Sequence, residues 1–191
     1  ALIAAVGVGA VAAMAGVSWW GSQAQARTAT AMVEISTGMS RQWNADMMHD
    51  GIRGDVLGSL DALTRERRVE YEVPNVSVKA SDMLEHLDAA AAAAPPELRA
   101  RFADVRPVAT IYGTTATDVV AVAATDKARS RAQIPAFLEL FEQLETDLGE
   151  LDAAMLDAVH AQEREGAATA ATVSRLTWLV GLLALAGFAG T

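Results

Sequence analysis

The sequence predicts an all-α protein, an up-down-up-down four-helix bundle whose two long outer helices continue into transmembrane helices. Three observations predict it. Residues 1–20 carry no charge, and residues 176–190 form a second uncharged apolar run. Between these runs, apolar residues recur at alternating steps of three and four, the seam of packed helices. Alanine, the best intrinsic helix former, is abundant, and no strand pattern of any length competes with it.

The first apolar segment is long enough to cross a hydrocarbon core of about 30 Å at about 1.5 Å of rise per residue. It shows no small-residue cleavage motif, and the helical pattern continues past Trp20. It therefore reads as a retained span over residues 1–20 rather than a signal peptide. The pattern then runs to about Arg65, with Met32, Ile35, Met39, Val56, Leu60 and Leu63 on one spacing. Residues 69–78 hold Pro74 and Asn75 among β-branched residues and read as a connection. A second helix is expected over about 76–94, with Ala80, Met83, Leu84 and Leu87 inward. Pro95 and Pro96 end it, and Pro96 suits the first turn of a third helix. That helix carries Leu98, Phe102, Val105, Ala109, Tyr112 and Val119 at bundle spacing, with a kink or break expected at Pro107.

Asp126 suits the N-cap of the fourth helix. There Ile134, Phe137, Phe141, Leu144, Leu148, Leu151, Met155 and Ala158 alternate by three and four without a miss. Pro135 lies near the start, and the acidic face of Glu139, Glu142, Glu145, Glu150, Asp152 and Asp157 reads as solvated. An alanine-rich stretch leads into the second span, over residues 176–191. The expected domain between the spans is 21–175. Trp19, Trp20 and Trp178 fall on its side of the membrane, at headgroup level.

The net charge of −9 argues against nucleic acid and against docking on anionic lipid. There is no cysteine, hence no disulfide framework and no thiolate chemistry, which fits an extracytoplasmic domain. No phosphate loop, nucleophile elbow or catalytic carboxylate pair appears, so neither enzyme activity nor a cofactor is expected. Position 1 is not Met and Thr191 sits inside an apolar run, which reads as a piece of a longer protein.

The most unusual stretch begins at Trp43. Carrying the register of Met32, Ile35 and Met39 forward lands on Gln42, Asp46, His49 and Arg53 before returning to Val56. Four polar residues thus interrupt an apolar seam, and buried polar groups need partners. Three readings stay open. In a ligand pocket, Arg53 would hold an anion through its guanidinium fork, His49 would add a pH-sensitive hydrogen bond, and Asp46 or Asp50 would orient them. Tyr112 on the third helix could contribute its hydroxyl. In a structural layer, the same residues would pair with one another and fix register. In a phase slip, they would be solvated while Trp43, Met47, Met48 and Ile52 turn inward. A metal is not expected, because His49 with Asp46 or Asp50 supplies at most two ligands, and His86 and His160 lie on other helices. Gly51, Gly54 and Gly58 form a small-residue strip that reads as close approach to a partner helix or a second subunit.

The run Asp46-Met-Met-His-Asp-Gly-Ile-Arg-Gly-Asp-Val-Leu57, with Pro-Pro-Glu-Leu-Arg, Asp-Val-Arg-Pro-Val and Ile134-Pro-Ala-Phe, resembles bacterial methyl-accepting chemotaxis proteins. The likeness is to their N-terminal four-helix-bundle sensory region and covers the whole chain. It implies a homodimeric receptor in the bacterial inner membrane with an extracytoplasmic sensor. Such a sensor binds small molecules such as amino acids or organic acids at helix interfaces. The linker and methylated cytoplasmic hairpin of that family would follow Thr191. Histidine kinases and cyclic-dinucleotide enzymes carry similar sensor bundles, and a membrane adaptor that binds another protein is the rival outside the receptor class.

Overall fold

The computed structural model describes residues 2–61 and 75–189, with side chains over 7–61 and 75–187. All regular structure among them is helical: α1 (Leu2–Asp61), α2 (Val76–Ala93), a 3-10 turn (Pro96–Leu98), α3 (Arg99–Ala123) and α4 (Lys127–Ala189). Leu63 and residues 69–74 of the expected connection lie outside the described residues. The described chain forms two compact units. One holds residues 34–157, and the other combines residues up to 33 with those from 158 onward.

Local chemistry sets the helix ends in the first of these units. Ala94 precedes Pro95, which disfavours helical backbone, and it turns extended at ψ 150° while its N–H still donates to the Ala90 carbonyl. Leu98 N–H then donates to the Pro95 carbonyl to close the 3-10 turn. Asp126 caps α4 as expected, its Oδ1 accepting the Arg129 N–H at 2.9 Å. The Ser130 hydroxyl donates to the Val119 carbonyl, tying the end of α3 to the start of α4. Pro107 lies within α3 and Pro135 within α4; neither ends its helix, and both are exposed, where a carbonyl released by the missing N–H can meet water.

The core of this unit follows the expected spacing on three helices. Val76, Ala80, Met83, Leu87 and Ala90 are buried on α2, and Phe102, Val105, Ala109, Tyr112 and Val119 on α3. Phe137, Phe141, Leu144, Leu148, Leu151 and Met155 are buried on α4. On α1 the expected seam is half right. Residues Ile35, Gln42, His49 and Val56 are buried as read, but the alternating column is Gly38, Ala45, Ile52 and Ser59. Met39, Asp46, Arg53 and Leu60 sit one position further along and flank the seam. The reason is size and charge. Gly38, Ala45 and Ser59 are small where α1 meets its neighbours, Ile52 fills the core, and the Asp46 and Arg53 charges stay near water.

Close helix approach uses glycines other than the expected strip. A Cβ on Gly113 would lie 2.8 Å from the Ala80 Cβ, and one on Gly38 would lie 2.8 Å from Met155 Cε and 3.4 Å from the Ala90 carbonyl oxygen. By contrast, a Cβ on Gly54 would meet nothing within 4 Å, and one on Gly51 only the flexible end of Lys79. Gly58 is half-buried. Among the described residues, then, Gly51 and Gly54 bring no helix backbone close.

The second unit packs small residues of α1 against α4. Cβ atoms added at Gly21 and Gly166 would lie 2.9 Å from Val173 and 3.1 Å from Thr28. Ala10 and Ala13 line a gap with Val180, Leu183 and Ala184. Its outer faces are apolar, with Val8, Val11, Trp19, Trp178, Leu182 and Leu185 all exposed. Among the described residues one helix, within Lys127–Gly187, is long and apolar enough to cross a membrane. The expected first span begins in residues 1–6, whose side chains lie outside the described set.

Two substitutions test the packing. Gly113→Val should destabilise the bundle by about 1–3 kcal/mol, through overpacking against Ala80. Gly54→Ala should stabilise it by about 0.5–1 kcal/mol, through the lower backbone entropy cost in open space. Urea melts of both variants beside the wild type read the opposite signs; destabilisation by Gly54→Ala would contradict the open environment.

Candidate functional site

The polar segment of α1 is split by its register. Gln42 and His49 point into the core; Asp46 is half-buried; Asp50 and Arg53 are exposed. Neither the four-residue polar layer nor the phase slip describes this. Of the residues the slip would bury, Ile52 is buried, whereas Trp43 and Met47 are exposed.

His49 is fully buried at the middle of the seam. Its ring stacks on Phe141 of α4, with centroids 4.2 Å apart and planes 9° from parallel. Tyr112 of α3 meets it at 4.9 Å and 55°. Tyr112 also stacks on Phe137, and its hydroxyl donates to the His49 backbone carbonyl at 2.8 Å. Burial drives the Tyr112 hydroxyl far above its ordinary range, so it remains a donor. Burial likewise lowers the His49 imidazole from 6.5 to about 4, against the opposing pull of Asp50. The ring is therefore neutral at pH 7. The Phe141 backbone also weakly favours the charged ring, but neither nitrogen meets a partner in hydrogen-bond geometry.

Arg53 does not join His49 in a pocket. Its guanidinium carbon lies 4.5 Å from the centre of the Phe141 ring, a cation–π contact at the surface. The side chains that approach His49 are acidic instead. Its Nδ1 is 3.6 Å from Glu145 Oε2 and 4.0 Å from Asp46 Oδ1, and the three donor atoms lie within 4.8 Å of one another. Beside them is a cleft of about 140 Å³ lined by Gln42, Trp43, Asp46, Glu145, Leu148, Gly149 and Asp152. Gln42 Nε2 donates to the Leu148 carbonyl at 3.0 Å, while its Oε1 is buried without a partner. Trp43 Nε1 donates to Asp152 Oδ1 across the same cleft. The Asp46 carboxyl is raised above its usual range by burial, then by repulsion from Glu145, Asp50 and Asp152.

These charges suit a cation. The expected anion site on Arg53 is not assembled, since no lining residue of the cleft is basic. The structure also adds the third metal-ligand candidate that spacing on α1 lacked: Glu145, from the face of α4 read as solvated. A second groove, of about 370 Å³, lies between α3 and α4 and mixes Arg101 with Asp104, Asp147 and Glu150. None of its lining side chains holds a buried polar atom without a partner. The cleft beside His49 is the better candidate.

Comparison with family models, with curated proteins and with solved structures yields no match to this chain.

The buried imidazole gives a pH test. Between pH 6.5 and about 4 the unfolded chain takes up a proton that folded His49 refuses, so stability falls as pH drops through that window. Asp46, raised in the fold, works the other way and recovers part of the loss as its carboxyl takes a proton. In metal-free buffer, urea melts should show a loss of about 1–2 kcal/mol from pH 7.5 to pH 5. His49→Phe, which keeps the ring stack, should flatten that slope; an unchanged slope would remove His49 as its source.

Proposed function

We propose that this chain is the sensory region of a transmembrane receptor of the chemoreceptor kind. Residues 21–175 form its extracytoplasmic up-down-up-down bundle, and residues 1–20 and 176–191 are its two spans in a bacterial inner membrane. One observation carries this reading. A single helix, α4, supplies Phe141 and Glu145 to the His49 site and also contains the apolar segment able to cross a membrane. Occupancy of the cleft would then bear on the helix that carries the apolar segment. A ligand that favours one packing of α4 against α1 shifts the population toward it, by no more than its difference in affinity for the two packings.

Contacts support the topology. Gly38 faces Met155, Gln42 bonds to Leu148 and Lys127 bonds to Leu60, so residue numbers on α1 rise as those on α4 fall. In the other unit Gly21 faces Val173 and Thr28 faces Gly166 in the same sense. Within the proposed spans Ala10 and Ala13 face Val180, Leu183 and Ala184, and small residues of this kind are what helices associating in lipid use. A second copy of the chain is the partner that the exposed Trp43, Met47 and Leu57 of α1 would suit, three apolar side chains at helical spacing on one face. The ligand class the cleft favours is a cation, either an amine or a metal ion, rather than the organic acid a guanidinium pocket would take. The bundle transmits and catalyses nothing itself.

A chimera tests the reading. Joined after Thr191 to the signalling module of an established chemoreceptor and inserted in a bacterial membrane, the chain is exposed to divalent metal ions, amines, amino acids and organic acids. At least one cation should change kinase output twofold or more, and Glu145→Gln should abolish the response. Silence across the whole panel, from a chimera shown to be correctly inserted, would sink the receptor reading.

A further inference from the structure

We propose that Asp46, His49 and Glu145 bind a divalent transition-metal ion of the zinc class. The proposal names the ligand of the receptor reading above and rests on its choice of cleft, although binding itself requires no signalling.

Four observations carry it. First, the donor set is one imidazole and two carboxylates, a combination that suits zinc and its neighbours; magnesium and calcium prefer all-oxygen sites. Second, the spacing is right. Asp46 and His49 are three residues apart on α1, the interval at which a helical carboxylate and histidine can share one metal, and Glu145 closes the set from α4. Third, the distances are close to closure. Ligands at about 2.0–2.2 Å from one tetrahedral ion stand roughly 3.5 Å apart. Here Nδ1 is 3.6 Å from Glu145 and 4.0 Å from Asp46. Both carboxylates are about half exposed and free to swing, while the imidazole is clamped between Phe141 and Tyr112. The rigid ligand is thus already in place, and the two carboxylates, which lie within 4.8 Å of each other, need to close on it by about an ångström.

The fourth observation is independent of the acidic residues. His49 is wholly buried and neither ring nitrogen has a hydrogen-bond partner, a cost that native proteins seldom leave standing. A metal at Nδ1 would use the lone pair that the bundle leaves idle. It would also relieve the repulsion among Asp46, Glu145 and Asp152. The adjoining cleft of about 140 Å³, which Gln42 helps line, has room for water to complete the coordination.

The test uses the full chain in detergent micelles, stripped with EDTA and titrated with zinc chloride by calorimetry. Saturable one-to-one binding is expected, with magnesium in excess failing to compete. Asp46→Asn and Glu145→Gln, at half-exposed positions that leave folding intact, should each weaken binding at least tenfold; Glu139→Gln, on the solvated face, should not. Cobalt substituted for zinc should give a visible d–d band that both ligand variants diminish, which a purely structural role for Glu145 would not produce. Absence of saturable binding overturns the site, as does zinc affinity within twofold of wild type in both carboxylate variants. The chimera separates this claim from the receptor reading. Zinc bound with output unchanged upholds the metal site alone. Output driven by an amine in a chain that does not bind zinc overturns the metal site and leaves the receptor.

Discussion

A neutral imidazole buried in an apolar seam is the constraint around which the bundle is arranged. Leaving a polar ring dry without hydrogen bonds costs about 1–3 kcal/mol. Aromatic contacts return about 0.5–1.5 kcal/mol each, and His49 has two, with Phe141 and Tyr112. The surrounding choices follow from that balance. The ring remains uncharged because burial holds its proton affinity down. Tyr112 spends its hydroxyl on the His49 carbonyl, so no second polar group is stranded beside the first. The carboxylates stay at the rim, where water still reaches them. A lysine or arginine at position 49 would have no such accommodation.

Three other buried polar residues of the unit are treated more conventionally. Ser59 and Ser130 return their hydroxyls to helix carbonyls. Asp55, nearly buried on α1, is met by Lys79 of α2 at 3.0 Å. Such a pair is weak evidence for stability, since desolvation consumes much of the attraction. Its value lies in orientation, for it fixes which face of α2 meets α1. The exposed Arg106–Asp88 pair, by contrast, is well formed at 2.7 Å yet screened by solvent, and it adds little.

Much of this was legible from the residues alone, and the failures have a common cause. Where one helix face was unambiguous, as on α4 from Phe137 to Met155, the three-four spacing named the core correctly. On α1 the two columns of the seam are not equivalent. Ile35, Gln42, His49 and Val56 belong to either alternation, but the step after each of them can be three or four. Hydrophobicity favoured Met39 and Leu60; packing chose Gly38, Ala45, Ile52 and Ser59, with a neighbouring backbone close at Gly38 and the Ile52 side chain filling the core. Size against a neighbour is a tertiary property, and a single helix does not announce it. The same holds for Glu145, which stands among equally acidic residues on α4. Only pairing with α1, nearly a hundred positions away in the chain, distinguishes it from Glu139 or Glu142. The glycine strip is a related case: Gly51 and Gly54 are spaced like a contact surface, but among the described residues no backbone comes near them, which leaves a second subunit as the approach their spacing could serve.

The Gln42 carboxamide has a mechanical corollary. It donates at 3.0 Å to a carbonyl, Leu148, in the middle of a continuous helix, and Trp43 reaches Asp152 one turn further on at 2.8 Å. Moving α4 lengthwise by two residues would carry it about 3 Å along its axis and stretch both bonds past their useful range. Piston strokes of that size are therefore penalised twice over within the bundle. A small tilt of α4 about the Gln42–Leu148 contact leaves that bond nearly unchanged in length, so the contact resists sliding more than it resists tilting.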